Sequence, residues 1–433
     1  MQRIPTKELK EHLDERIKIA GWIHGLRQLS KVNFLLLRDA TGFAQVVVDS
    51  KPQMQMLSKL HMESVVEVEG KVVAEKNAPG GFEIHAPEIR VVSEVKDVVP
   101  FPINKATLNV NLDTFLDYAA YGLRHPEKRA IFKIEAEIMR GFRNHLNDQG
   151  FTEIATPKIV ASATESGANV FALNYFDGKA YLAQSPQFYK QMMVAVFERV
   201  YEVAPVFRAE PHSTSRHLNE YVSMDVELGF VEDHTTVMEV LTVLVRAILT
   251  QIETFAAPEL KALKVAMPLA PEKFPAISFR EGQKLIAERY GEDCSHEPDL
   301  SPQHERWLGE WAREVHQSDY VFVTGFPMSK RPFYTHPDPN DPDYANGFDL
   351  LFRGMELVTG GQRLHLYEDY LEVLKARNLS PEPFQGYLDA FRFGMPPHGG
   401  FAIGLERFVT QLLGLQNVRE ATLFPRDINR LTP

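Results

Sequence analysis

Apolar positions in the first hundred residues recur with a period of two, in short runs cut by turn residues, which is the pattern of half-buried strands. "IKIAGWIHGLRQLS", "KVNFLLLRDATG", "FAQVVVDS", "SVVEVEGKVVAEK" and "FEIHAPEIRVVSEV" supply about five strands, with a helical piece near Met54 to Leu60. Five strands with one helix is the element list of an OB-fold, a partly open barrel that binds oligonucleotides. Element counting leaves another small β-barrel, used for protein interaction, equally open.

"VVPFPINKATLNVN" has little periodicity and reads as a linker. It divides the chain into a barrel domain over 1–102, a hinge over 103–122 and a larger domain over 123–433. In "RHPEKRAIFKIEAEIMRGFRNHLNDQGF" the period changes. Ile131, Ile134, Ile138, Phe142 and Leu146 recur at helical spacing, bracketed by Pro126 and Gly150. Strand-like runs, long helices such as "TTVMEVLTVLVRAILTQIETF" and further strands follow. The larger domain is therefore expected to be α+β, an antiparallel sheet flanked by helices.

Composition narrows the class. A net charge of −11 argues against broad, non-specific nucleic-acid binding, though local basic patches remain compatible with it. The single cysteine, Cys294, excludes an intrachain disulfide and a thiolate zinc cluster. No uninterrupted apolar run approaches the roughly 18–20 residues of a membrane span. "MQRIPTKELKEHLDERIK" is charged throughout, unlike a signal peptide or anchor. The chain reads as cytoplasmic, with no membrane partner.

The chemistry concentrates in "VFRAEPHSTSRHLNEYVSMDVE", residues 206–227. Arg208 and Glu210 alternate along what reads as a strand, which aims both to one face. Arg407 follows "GFAIGLE", where a strand-like run meets the helical "RFVTQLLGL". Guanidinium groups from distant places suit a phosphate chain, because they stay charged and donate bidentate hydrogen bonds. Taken singly, each is more often a salt-bridge partner. "GGFAIGLER" lacks the lysine and hydroxyl of a P-loop, and no Rossmann glycine fingerprint is present. A nucleotide here would be held largely by side chains.

Three segments in order resemble the signature motifs of class II aminoacyl-tRNA synthetases. "GFTEIATPKIV" resembles motif 1, a strand ending at Pro157; "YEVAPVFRAEPHSTSRHLNEYVSMDVELGF" resembles motif 2, strand–loop–strand; "GGFAIGLERFV" resembles motif 3, strand into helix. With the barrel, the resemblance covers nearly the whole chain. It fits the subclass of aspartyl-, asparaginyl- and lysyl-tRNA synthetases, which place an anticodon-binding OB-fold first. The resemblance implies a ligase using ATP and Mg²⁺, acting on tRNA, and a homodimer joined through motif 1. By the same resemblance Arg208 grips the α-phosphate and the attacking carboxylate, and Glu210 holds the adenine side. Arg216 and His217 reach the β- and γ-phosphates, with Leu218 beside them. Arg407 lies on the γ-phosphate, and Gly404, Leu405 and Glu406 shape the nucleotide pocket. Glu356 in "MELVTGGQRLH" is implied as the metal carboxylate and Thr359 as a nearby hydroxyl, where serine is commoner in the family.

For the amino acid, Gln187 and Lys190 lie three apart in "LAQSPQFYKQ", on one face of a helical turn, and "GGQR" adds Arg363. A lysine and an arginine converging on one pocket select a side-chain carboxylate over an amide. Asp225 in "SMDVE" and Glu165 in "TESGANVF" suit the substrate's ammonium. "KRPFYT" and "FDLLFRGMELVTGGQR" are similar to the aspartate-type versions, which implies aspartate, with asparagine as the runner-up. The "MSK" before "RPFYT" looks like a class I signature, but its partner histidine motif is missing and it is read as incidental.

In the barrel, Arg27, Phe34 and Gln45 fall on the first three strands; the resemblance implies that Phe34 stacks on the central anticodon uridine while the other two hydrogen-bond it. Alone, a phenylalanine in "NFLLLRD" would read as core. The short chain and "RHL" resemble archaeal-type aspartyl enzymes, some of which charge both tRNA(Asp) and tRNA(Asn). A histidine and a proline near the anticodon go with that relaxed reading, here His24 and Pro79. The implied product on tRNA(Asn) would pass to an amidotransferase. A strictly discriminating aspartyl enzyme is the alternative, followed by an asparaginyl one.

Overall fold

The alternating runs of the N-terminal region close on themselves. β1 (Arg16–Gln28), β2 (Asn33–Arg38), β3 (Phe43–Val48), β4 (Val65–Ala74) and β5 (Phe82–Ser93) form a closed barrel in the order β1-β2-β3-β5-β4, with the helix Lys51–Leu57 between β3 and β4. Ile19, Leu35, Leu37, Val46, Val66 and Val68 point inward and are fully buried, while the residues between them are partly exposed. That is the period of two made physical: one face fills the barrel and the other meets water. One charged pair sits inside the wall. Arg38 donates both arms to Glu63, 2.8 Å each, and both side chains are almost fully buried.

The computed structural model describes residues 2–29, 32–161, 169–211 and 214–433, and the chain divides into two compact units, Met1–Asn111 and Leu112–Pro433. The second unit thus begins at Leu112 rather than at 123. Two short helices, Leu112–Asp117 and Ala119–Gly122, occupy the stretch read as hinge. Each is too short to show a helical period, yet Phe115, Leu116 and Ala119 are buried.

Among the described residues, the second unit is built on one large sheet and two small ones. Its strands are β6 (Thr152–Glu153), β7 (Ile159–Val160), β8 (Ala172–Tyr175), β9 (Gly178–Leu182), β10 (Arg199–Phe207), β11 (Glu220–Gly229), β12 (Ala276–Ser278), β13 (Tyr320–Thr324), β14 (Pro337–Asp338), β15 (Asp341–Ala345), β16 (Gly347–Phe352), β17 (Met355–Gln362) and β18 (His398–Gly404). Eight of them form a sheet in the order β12-β13-β16-β17-β18-β11-β10-β6. Its interior pairs are antiparallel as expected, and only the two edge pairs, β6 on β10 and β12 on β13, are parallel.

The expected helix runs from Pro126 to Asp148, with proline at its start and Gly150 at φ +77° just past its end. Ile131, Ile134, Ile138, Phe142 and Leu146 are all buried in the core cluster. Packed beside it is the helix His234–Phe255, capped by the Asp233 carboxylate accepting from the Thr235 N–H at 2.7 Å. A Cβ on Gly141 would come within 2.9 Å of the Gln251 Cβ and 3.1 Å of the Ile248 Cα, so the two helices cross closely only because glycine is there. By length and composition His234–Phe255 could span a membrane, but Val237, Leu241, Leu244, Val245, Ile248 and Ile252 are fully buried in the core.

Candidate active site

Strand register lays out the floor of the site. Asp225 on β11 lies opposite Ala402 on β18, Ala402 opposite Thr359 on β17, and Thr359 opposite Asp349 on β16. Residues in one such row share a face of the sheet. Two positions along, the next row reads Glu227, Gly400, Gly361 and Gly347. A Cβ on Gly400 would lie 2.2 Å from a Glu227 carboxylate oxygen, so this row has room for a buried acid only beside glycine. A cavity of about 390 Å³ opens over these rows.

At one end stands a four-group charge cluster. Lys190, from the helix Gln187–Phe197, is 1% exposed; its Nζ donates to Asp225 Oδ1 at 2.8 Å and to the Phe401 carbonyl at 3.0 Å. The same Nζ is 3.4 Å from Glu227 Oε2. Arg363 donates from Nε to Glu227 Oε1 at 3.0 Å and from NH2 to the Gly400 carbonyl at 2.9 Å. Ser223 donates to the other oxygen of Asp225 at 2.5 Å. Burial alone would raise the Glu227 carboxyl, but Arg363 and Lys190 outweigh it and hold the group below its usual range. Lys190 and Arg363 therefore do converge, as their motifs suggested, but across a shared internal acid. Sequence reading passed over Glu227, although an acid two residues beyond Asp225 on an apolar strand must share its face.

The other end is rich in arginine. Arg208 and Glu210 do not lie on a strand as expected: β10 ends at Phe207, and both sit on the loop beyond it. The pairing lapses at Asn219, whose N–H turns to the Arg426 carbonyl at 2.8 Å while its side-chain amide donates to the Arg208 carbonyl at 2.7 Å and to the Glu210 carbonyl at 3.3 Å. Both still line the cavity, and the Arg208 guanidinium lies 5.6 Å from the Tyr221 ring. Arg216 NH1 is 3.8 Å from Glu305 Oε2, and His217 Nδ1 is 2.6 Å from the Thr214 hydroxyl. Leu218 lines the same cavity. Opposite, Arg407 in the first turn of the helix Leu405–Leu413 lies 3.8 Å from Glu356 Oε1, and Gly404 precedes it on the cavity wall. Among the described lining residues are six lysine or arginine side chains and four carboxylates.

One residue sits differently from its expected place. Leu405 is 1% exposed in the hydrophobic core and does not line the cavity, because the first residue of its helix faces the sheet. Glu406 reaches the cavity wall, yet both its oxygens accept from the Val222 N–H, at 3.0 and 3.1 Å. Burial pushes its carboxyl up to about 7. Glu165 lies outside the described residues.

Thr359 donates to Glu356 Oε1 at 3.1 Å, which joins the two suspected metal-site residues. Three further groups were missed. Arg331 makes a bidentate pair with Asp349, 3.1 and 3.0 Å, with its guanidinium 4.1 Å from the Phe326 ring. Burial pushes Asp349 up to about 6 against Arg331's pull, and nearby Glu356 adds to the rise. Glu305 accepts from the Glu356 N–H at 3.3 Å and is pushed up to about 7 by burial and then by Glu356. A lone aspartate in "GFDLLF" was a readable signal; Glu305, in the charged "QHERWLGEWARE", offered none. Carboxylate and hydroxyl oxygens of this kind suit a hard divalent cation.

In the barrel unit, the ladder puts Arg27 directly across from Phe34, and Gln45 across from Leu36, two residues on from Phe34. The three therefore share the outer face, and Phe34 is only partly buried between the buried residues Asn33 and Leu35. Gln45 donates to Glu83 Oε1 at 2.5 Å. His24 sits at a register shift between Ile23 and Gly25, a bulge in β1. Its ring is 4.9 Å from Phe43, and its Nδ1 is 2.9 Å from Arg38 NH1. Pro79, in the turn between β4 and β5, lines a second cavity together with that same Phe43. Phe43 thus touches the His24 ring and borders the cavity that Pro79 lines.

Residues 17–92 match the OB-fold nucleic acid binding domain, and residues 111–428 match the family described as tRNA synthetases class II (D, K and N). An aspartate–tRNA(Asp/Asn) ligase of Deinococcus radiodurans is 47% identical over 438 residues, covering 100% of this chain and 99% of that protein. An aspartate–tRNA(Asp) ligase of Thermococcus kodakarensis is 40% identical over 435 residues, covering 99% of each. Among solved structures, the asparaginyl-tRNA synthetase of Pyrococcus horikoshii complexed with asparaginyl-adenylate superposes with a TM-score of 0.94 at 32% identity over 100% of both chains. Barrel, sheet and relatives agree: this chain belongs to the class II tRNA synthetases of the D, K and N group.

Proposed function

We propose that the chain is an aspartate–tRNA ligase that charges both tRNA(Asp) and tRNA(Asn). The observation that carries the aspartate reading is the Lys190–Asp225–Glu227–Arg363 cluster at one end of a cleft whose other end is lined by arginines. Lys190 and Arg363, though balanced by Asp225 and Glu227, carry only donors, which suits a side-chain carboxylate better than an amide that brings N–H groups of its own. The relaxed tRNA choice is supported by the Asp/Asn name of the D. radiodurans relative and by the presence of His24, against Phe43, and Pro79, on the cavity that Phe43 borders.

Aspartate's α-carboxylate attacks the α-phosphate of ATP, giving aspartyl-adenylate and pyrophosphate; the terminal ribose hydroxyl of tRNA then takes the acyl group. A carboxylate is already a nucleophile at neutral pH, so the protein positions reactants and neutralises charge, with no general base needed for the first step. Arg208 holds the α-phosphate and the attacking carboxylate, Glu210 the adenine side, and Arg216, His217 and Arg407 the outer phosphates. Gln187 and Asp225 serve the amino acid's ammonium, and Glu165 is assigned to it as well. Glu356, with Thr359 and Asp349 beside it, would hold Mg²⁺, which when bound neutralises phosphate charge. We further assign a two-fold homodimer through motif 1, work in the cytoplasm, and delivery of Asp-tRNA(Asn) to an amidotransferase.

One experiment separates the two ends. The wild-type protein is expected to exchange pyrophosphate into ATP with aspartate. Phe34→Ala should leave that exchange within about twofold while raising the KM for tRNA about tenfold or more, as the loss of one stacked base requires. Equal loss in both assays contradicts the anticodon role, and no aspartate-dependent exchange in the wild type contradicts the ligase itself.

A further inference from the structure

Behind the amino-acid end of the cleft lies a buried polar chain. His398 is fully buried, and its Nδ1 sits 2.9 Å from the Pro396 carbonyl oxygen. A carbonyl only accepts, so Nδ1 carries the proton and Nε2 keeps a lone pair. Gln191, also fully buried, places its Nε2 3.0 Å from His398 Nε2, and there it must donate. That choice fixes the whole Gln191 amide. Its Oε1 accepts from the Tyr387 hydroxyl at 3.0 Å and from Gln187 Nε2 at 3.1 Å. With its NH₂ committed to Gln191, Gln187 keeps its carbonyl oxygen for the cleft, which it lines. Burial pushes His398 down to about 4 despite the pull of Glu227, so the ring stays neutral and the direction of the chain does not reverse near pH 7.

The geometry points to Gln191 and His398 as positioning residues that set the polarity of the Gln187 amide, so that its carbonyl oxygen accepts from the α-ammonium of the amino acid. The inference rests on the aspartate reading of the cleft. Lys190 and Arg363 attract carboxylate, so the ammonium needs acceptors held on another side; an amide free to flip would offer it donors instead. Direction, and not merely contact, is what the buried chain supplies.

The test compares L-aspartate with L-2-hydroxysuccinate, in which a hydroxyl replaces the ammonium. Gln191→Met keeps the side-chain length and removes both hydrogen-bonding ends. The KM for aspartate in pyrophosphate exchange should rise about tenfold, the size of one hydrogen bond to a charged group. The kcat and the KM for ATP should hold within about twofold, and so should the competitive inhibition constant of the hydroxy acid, since Gln191 acts on the ammonium's partner alone. In a Gln187→Met background, adding Gln191→Met should change the aspartate KM by less than about twofold, because the second residue works through the first. If Gln191→Met does not fold, His398→Gln carries the test: it can still hydrogen-bond Gln191 but no longer dictates direction, and it should show the same fall in preference for aspartate. Equal loss for both ligands, or additive effects in the double variant, overturns the inference. A wild-type protein without aspartate-dependent exchange overturns the aspartate reading instead.

Discussion

Replacing Arg208 with alanine abolishes aspartate-dependent pyrophosphate exchange, by about 10³-fold or more, and leaves tRNA binding within about twofold. The size follows from the chemistry. Two anions, a carboxylate and a triphosphate, must meet at one phosphorus, and a fork of fixed donors is what holds them together. Arg208 is placed for this by backbone: its N–H donates to the Asn219 carbonyl at 2.9 Å, and the Asn219 amide returns to its own carbonyl at 2.7 Å. Its guanidinium is half-buried at the cavity, so truncation should remove function with little damage to the core. Arg208→Lys keeps a charge but loses the fork, and intermediate activity is expected. Exchange above about one-tenth of wild type in the alanine variant would remove Arg208 from the reaction.

The second large effect is on stability. Lys190→Met takes one cation from a buried cluster and leaves Asp225 and Glu227 under-compensated, at a cost of about 3–5 kcal/mol. The pH dependence has a definite sign. Glu227 has its carboxyl held below the ordinary value of 4.5, so its contribution is present above that value and is lost as pH falls through the lowered one. With Lys190 gone, Glu227 loses one of its two opposing cations and its carboxyl rises. The stability gap between wild type and variant should therefore be widest near pH 7 and narrow below about pH 4. Urea unfolding at both pH values reads it directly. A gap under about 1 kcal/mol at pH 7, or one that widens on acidification, would show that Lys190 is not coupled to these acids. The same variant should lose exchange with aspartate, because the pocket's cation is gone.

Much of this was legible because local periods report local structure. The run from Ile131 to Leu146 announced its helix, and alternation around Leu35 and Leu37 announced the barrel. Arg208, Arg216, His217 and Arg407 were found through motifs 2 and 3, and Lys190, Thr359 and Arg363 through the segments between the motifs; all seven line one cavity. What stayed hidden depends on strand register, which no single segment encodes. Asp349 faces Thr359 only because β16 pairs with β17, and a shift between Leu350 and Leu351 resets that pairing one residue later. Arg331 finds Asp349 across the same fold, and Glu305 reaches Glu356 from a helix that reads as solvated charge. Leu405 was misplaced because a motif gives residues in order without saying which side of a helix start they face. Arg208 was assigned to a strand because alternation cannot reveal that the pairing lapses at an asparagine eleven residues on.

Aspartate attachment to purified tRNA(Asp) and tRNA(Asn) transcripts, measured side by side with asparagine as the control amino acid, tests the central claim most directly. The expected result is comparable charging of both tRNAs by aspartate and none by asparagine. Charging of tRNA(Asp) alone would contradict the relaxed reading and remove His24 and Pro79 from it; charging by asparagine would contradict the assignment of the Lys190–Arg363 pocket to a side-chain carboxylate.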